Sequence, residues 1–190
     1  MQSYPLFPMP VDLMGRKPEE WSGREAKSYL EWILHVLDER VKTLLDYFQD
    51  DGSGSPEELL ERLGERVAEL LPSDRFSREP DRGVTIIEKS GRRLALPHPE
   101  GRTLTAEGYA LAMDMGLLVA KLVLARGQPP YKWSVLRKPK SEIRYNHPVL
   151  VRTDGEDYFF GPMGASVSSA HAILRGTHGP NQWRQMYEAV

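Results

Sequence analysis

Cysteine is absent from all 190 residues. That absence excludes disulfide frameworks, cysteine-ligated zinc and thiol catalysis together. It also suits a reducing compartment. Long apolar runs are absent as well. The nearest approach, Tyr109–Ala125, is interrupted by Asp114 and Lys121, short of the ~18 uncharged residues that suggest a membrane span. The opening stretch MQSYPLFPMPVDLMG has no basic segment before an apolar one, and its prolines break any helix, so it does not read as a signal peptide. We therefore expect a soluble, cytoplasmic protein with no membrane contact. Several motifs are missing too. There is no P-loop lysine, no dinucleotide fingerprint, no HExxH and no nucleophile elbow. DDGSGS lacks the alternating acids and terminal glutamate of an EF-hand loop.

Acidic charge is scarce where basic charge gathers. Residues 1–100 hold 14 basic and 20 acidic side chains, and residues 101–190 hold 11 and 7. The segment QPPYKWSVLRKPKSEIRYNHPVLVR (128–152) carries six basic residues and one acid, with aromatic rings between them. Such asymmetry has two readings. The basic segment offers a surface to an acidic or phosphate-bearing partner, or it balances the acidic first half internally.

Hydropathy periods organise the chain as a single domain, 1–190, of α+β class. Residues 1–18 form an arm whose four prolines exclude a helix. Its apolar residues, from Tyr4 to Met14, are too many for a disordered tail. It should lie on its own core or on a second copy, making a homodimer. Residues 22–71 read as a helical hairpin. Ser22 with Glu25 and Ser55 with Glu58 are capping boxes. The stripe Ala26, Leu30, Ile33, Leu37, Val41, Leu44, Phe48 marks the first helix, and Leu59, Leu63, Val67, Leu70 the second. A short loop predicts antiparallel packing of the two. The glutamates along the second helix read as a solvated face with arginine partners.

Residues 82–190 carry the strands. GVTIIEKSGRRLALP reads as a hairpin turning at Ser90-Gly91. Thr105 caps a helix over Ala106–Arg126 that is apolar nearly all round, hence buried, with Met115, Leu118 and Leu122 in the core. Asp114 and Lys121 are seven apart and are expected on its solvent face. Lys132–Arg137, Glu142–Tyr145 and Pro148–Thr153 read as strands, with Asp154-Gly155 as a tight turn. Together these suggest one antiparallel sheet of about five strands packed on a buried central helix. Alternation sends Trp133, Val135, Ile143 and Tyr145 inward and leaves Arg137, Lys138, Lys140, Arg144 and Arg152 outward. A helix follows over GASVSSAHAILRG, and a last one opens at Pro180.

Three groups carry chemistry. The first is Arg137, Lys138, Lys140 and Arg144, whose partner would be an acidic protein or a nucleic acid. The second is DYFFGPMGASVSS, where a strand turns into a helix N-terminus. Exposed amides there attract anions, Gly161 and Gly164 permit close approach, and Ser166 adds a hydroxyl. The third is His147, His171 and His178 near Asp154, Glu156 and Asp157, with no spacing that fixes a metal or triad geometry. The leading expectation is a non-catalytic binding module presenting the basic sheet surface, without metal or cofactor. The alternative is a small enzyme or phospho-ligand binder using Gly161–Ser166 with Arg144 and His147.

Overall fold

The computed structural model describes residues 3–79, 85–87, 93–95, 101–156 and 158–190. Both capping boxes form: the Ser22 hydroxyl accepts from the Glu25 amide, and the Ser55 hydroxyl from the Glu58 amide. They open α1 (Gly23–Phe48) and α2 (Pro56–Leu70). Trp21, just before the first cap, and Ala26, one turn in, are both buried, as in a hydrophobic staple. Thr105 caps α3 (Ala106–Arg126), which ends at Gly127 in the left-handed region. α4 (Pro162–Leu174) begins two residues earlier than the glycine pattern suggested, because Pro162 suits a first helical position and Gly161 caps it. α5 spans Gln182–Glu188.

The α+β class holds, but the strands do not join into one sheet. β1 (Ser77–Arg78) pairs with β4 (Thr103–Leu104), and β2 (Thr85–Ile87) with β3 (Arg93–Ala95). A three-stranded antiparallel sheet runs β5 (Tyr131–Val135), β6 (Pro148–Arg152), β7 (Phe159–Phe160). β6 and β7 meet as a hairpin around Gly155, whose φ is +96°. The Ser90-Gly91 turn lies outside the described residues. Glu142–Tyr145 is a compact turn and not a strand: the Tyr145 amide donates to the Glu142 carbonyl, and the His147 amide to the Arg144 carbonyl. Ile143 is consequently 80% exposed while Tyr145 remains buried, and Trp133 and Val135 are half-buried against the core.

The helices also pack differently from a hairpin. α1 lies on α3, and α2 packs chiefly on α5, so α1 and α2 meet only marginally. α3 is the spine, contacted by α1, α4 and α5. It is long and apolar enough to cross a membrane by length and composition. Here it is enclosed, with Met115 and Leu118 in the core and Leu122 at its edge. Close approach of other backbone to α3, from α4 at Gly116 and from the turn at Phe76 at Gly108, explains two glycines. A Cβ at Gly116 would meet the Pro162 carbonyl oxygen at 2.7 Å, and one at Gly108 the Phe76 oxygen at 2.0 Å.

Asp114 corrects the expectation of a solvent face on α3. It is fully buried, and Arg40 of α1 reaches it with two donors, at 2.9 and 2.6 Å. The Tyr4 hydroxyl donates to the same carboxylate at 2.5 Å. The Arg40 guanidinium also donates to the carbonyls of Pro5 and Leu6. Lys121, two turns further along nearly the same face, is exposed and paired with Asp38 at 2.7 Å. Burial pushes the Asp114 carboxyl up to about 6, against the pull of Arg40 and Tyr4. It is ionised at neutral pH. Because the folded value lies above the unfolded one, its linkage contribution is full below the unfolded value and is lost as pH rises through about 6. Acid does not release this node.

The arm is thus bound to its own chain. Tyr4 and Leu13 are buried, Tyr4 packs edge-on against Tyr47 at 4.9 Å, and Arg16 pairs with Glu25 at 2.5 Å.

Two substitutions test this frame. Asp114→Leu leaves the Arg40 guanidinium and the Tyr4 hydroxyl buried without this acceptor and should cost roughly 3–5 kcal/mol. The double replacement Arg40→Met with Asp114→Leu should recover most of that loss. Urea melts showing less than about 1 kcal/mol for Asp114→Leu would remove the node from the argument, since such small changes are typical of surface sites. Leu118→Ala, at a side chain only 2% exposed, should cost about 2–5 kcal/mol by the same measurement; a change in the surface range would make α3 peripheral.

Candidate ligand-binding site

Arg144, His147 and the first turn of α4 converge. Together with Glu19, Ile143, Phe160, Gly161 and Ser168 they line a cleft of about 490 Å³. Its assembly follows from local chemistry. Asn146 adopts a left-handed φ of +65°, a region in which Asn is several-fold enriched over other non-glycine residues. Its side-chain amide donates to the carbonyls of Pro18 and Trp21 at 2.7 and 2.8 Å, and its oxygen accepts from Arg137. That clamp seats the 137–147 turn on the short 3-10 turn Pro18–Glu20. Gly116 lets the start of α4 settle on α3, and Gly161 makes room for Arg144, whose Cδ would lie 3.1 Å from a Cβ there.

Arg144 donates through Nε to Glu142 at 2.9 Å and stacks over Phe159 at 4.6 Å. Among the described residues, its two terminal nitrogens make no hydrogen bond. In α4 the amides of Met163 and Gly164 precede the first helical bond, which Ala165 makes to Gly161. A Cβ at Gly164 would meet nothing within 4 Å, so this turn is open. His147 is half-buried. Burial lowers its pKa, and nearby Glu19 opposes that by raising it, so the ring is neutral at pH 7.

The cleft continues past His147 and Gly164. The same two residues line a second cavity of about 340 Å³ with Trp21, Tyr29, Met113 and Met163 among its walls. Burial pushes the Tyr29 phenol up to about 12, so it too is neutral. The indole N–H of Trp21 is buried and has no acceptor among the described residues.

The other expected residues lie elsewhere. Ser166 faces inward: it is fully buried, donates to the Ala112 carbonyl and accepts from the Trp183 indole. Arg137 is spent on Asn146 and the Tyr145 ring. Lys138 and Lys140 are exposed, without an ion pair among the described residues. Arg152 is held by Asp154 and Glu156. His171 sits beside Tyr109 at 3.5 Å, and His178 beside Thr177, so the three histidines do not meet. Among the described residues no His, Asp or Glu cluster suits a metal. Asp157 lies outside them. Glu19, Trp21, Tyr29, Met113 and Asn146 were not singled out in the sequence. Only Trp21, at the staple position, and Asn146, before the His-Pro step, gave a local signal.

His147 gives a titration test. Its imidazole should titrate below the ordinary value of about 6.5, followed by proton resonance. Glu19→Gln should move it lower still. With its folded pKa depressed, His147 contributes stability that is present above the unfolded value and lost as pH falls through the folded one. An unshifted titration in both proteins would place the ring in solvent, outside the cleft.

No family model, no curated protein and no solved structure matches this chain, so the groove itself carries the functional reading.

Proposed function

We propose that this protein binds a small ligand with a single anionic group, seated where Arg144, His147 and the first turn of α4 meet. One observation carries the reading: a guanidinium with both terminal nitrogens unengaged and an open helix start line one cleft. A guanidinium fork and oriented amides are complementary to a carboxylate or phosphate. Glu19 on the cleft wall favours one anionic group over a polyanion, which would lie against it.

The binding is non-catalytic in this reading. The Ser168 hydroxyl donates to the Gly164 carbonyl at 3.0 Å, and Ser166 is occupied internally. Among the described residues neither serine is bonded to His147, so the nucleophile and base of acyl transfer are not joined. A nucleic acid or acidic protein along the basic strip has less support. Arg144 and Arg152 pair with acids within the chain and Arg137 is hydrogen-bonded to Asn146, while Lys132, Lys138 and Lys140 have no ion pair among the described residues.

The test is titration of phenyl phosphate into isotope-labelled protein. The amides of Met163 and Gly164 and the His147 ring should shift together and saturate. Arg144→Gln should weaken binding about ten- to a hundredfold, the range of one charged hydrogen-bonding contact. Shifts confined to Lys138 and Lys140, or an unchanged affinity in Arg144→Gln, would overturn the reading.

A further inference from the structure

We infer that the ligand is an amphiphile: a single flexible apolar chain behind the anionic group. This rests on the anion site just proposed. The cleft at Arg144 shares its walls His147 and Gly164 with the cavity of about 340 Å³. That cavity shares Met9, Tyr29 and Met113 with a third, of about 320 Å³, whose remaining walls include Leu6, Phe7 and Ala110. In the proposed reading the ligand spans these three neighbouring cavities, here called the trough. Polar donors stand at one end, and no charged side chain lines the far cavity. In the middle stretch the one charged group is Arg16, already bound to Glu25 and the Glu20 carbonyl.

The walls restrict the occupant. An extended peptide needs partners for its backbone amides. The middle and far cavities lie between side chains of α1, α3 and α4, His147 and the proline-rich arm, and no strand residue lines them; Phe160 of β7 lines only the cleft at Arg144. An unbranched hydrocarbon chain asks for no hydrogen bonds. Three of the seven methionines, Met9, Met113 and Met163, line the middle cavity. Their flexible thioethers adapt to a chain without fixed shape. Concave cavities of about 320 to 490 Å³ suit one free molecule rather than the face of a bilayer.

The experiment is calorimetric titration with acetate, octanoate, dodecanoate and dodecanol, each below its aggregation limit, and with vesicles of anionic phospholipid. Affinity should rise from acetate to dodecanoate by about fourfold per methylene buried, the transfer value for one such group. Val167→Trp, at the wall of the middle cavity, should flatten that series to the acetate value. Arg144→Gln, at a more exposed position, should weaken dodecanoate but leave dodecanol unchanged. Equal affinities for acetate and dodecanoate would overturn the apolar chain and leave the anion site standing. Dodecanol binding as tightly as dodecanoate would overturn the anion site, and the amphiphile with it. Binding to vesicles with none to monomeric dodecanoate would overturn the single-molecule trough.

Discussion

A carboxylate buried in the middle of the core helix is the constraint on which the rest depends. Asp114 has no water to solvate it, and an isolated charge there would be prohibitively unfavourable. Arg40 and Tyr4 supply three donors to its two oxygens, all close to ideal distance. Those donors come from α1 and from the arm. One charge on α3 therefore fixes the position of the longest helix and of the chain's first described residues. A buried ion pair of this kind is weak evidence for net stability, because desolvation offsets its Coulombic gain. What it provides here is placement. Arg40 also takes the carbonyls of Pro5 and Leu6, so the arm crosses α1 at one height.

The groove depends on that placement. Leu6, Phe7 and Met9 wall it only because the arm is held at Asp114 and, at its other end, by Arg16 on Glu25. Tyr4 adds a third tie, its amide donating to Glu107 at 3.0 Å. The opposite wall has its own fastener in Asn146, which binds residues more than a hundred positions away. Neither wall is built from a contiguous motif. The trough is a consequence of how two irregular segments are tied to a helical core.

This explains which features were legible in the sequence. Capping boxes, the apolar stripes and the Asp-Gly turn are local chemistry, and each formed where the spacing placed it. The buried spine was legible because an all-round apolar helix has no other stable location. Asp114 was misplaced because a helical period assigns a polar residue to solvent unless its partner is known, and Arg40 is 74 positions away. The strand expected at Glu142–Tyr145 failed because alternating polar and apolar residues also fit a tight turn, here secured by Asn146. Four further strands could not be assigned to one sheet from period alone, since pairing is a tertiary choice. Ser166 has a cap-like position in the sequence, but its hydroxyl is taken by Ala112 and Trp183, which only packing reveals.

The charge asymmetry resolves along the same line. Some balance does run between the halves: Lys121 meets Asp38, Arg184 meets Glu61, and Arg102 meets Asp74. Within the basic strip, Arg144 pairs with Glu142 and Arg152 with Asp154 and Glu156, while Lys132, Arg137, Lys138 and Lys140 have no acidic partner among the described residues. Local pairing of that sort lowers the long-range field that attracts a polyanion, since opposite charges a few ångströms apart cancel within a screening length. It leaves short-range donors intact where one nitrogen of a guanidinium is paired and two are not. Arg144 is in that state, at the polar end of a trough that is otherwise apolar. The proposed reading therefore turns on Arg144 and one anionic group at contact distance, and not on the summed charge of the strip.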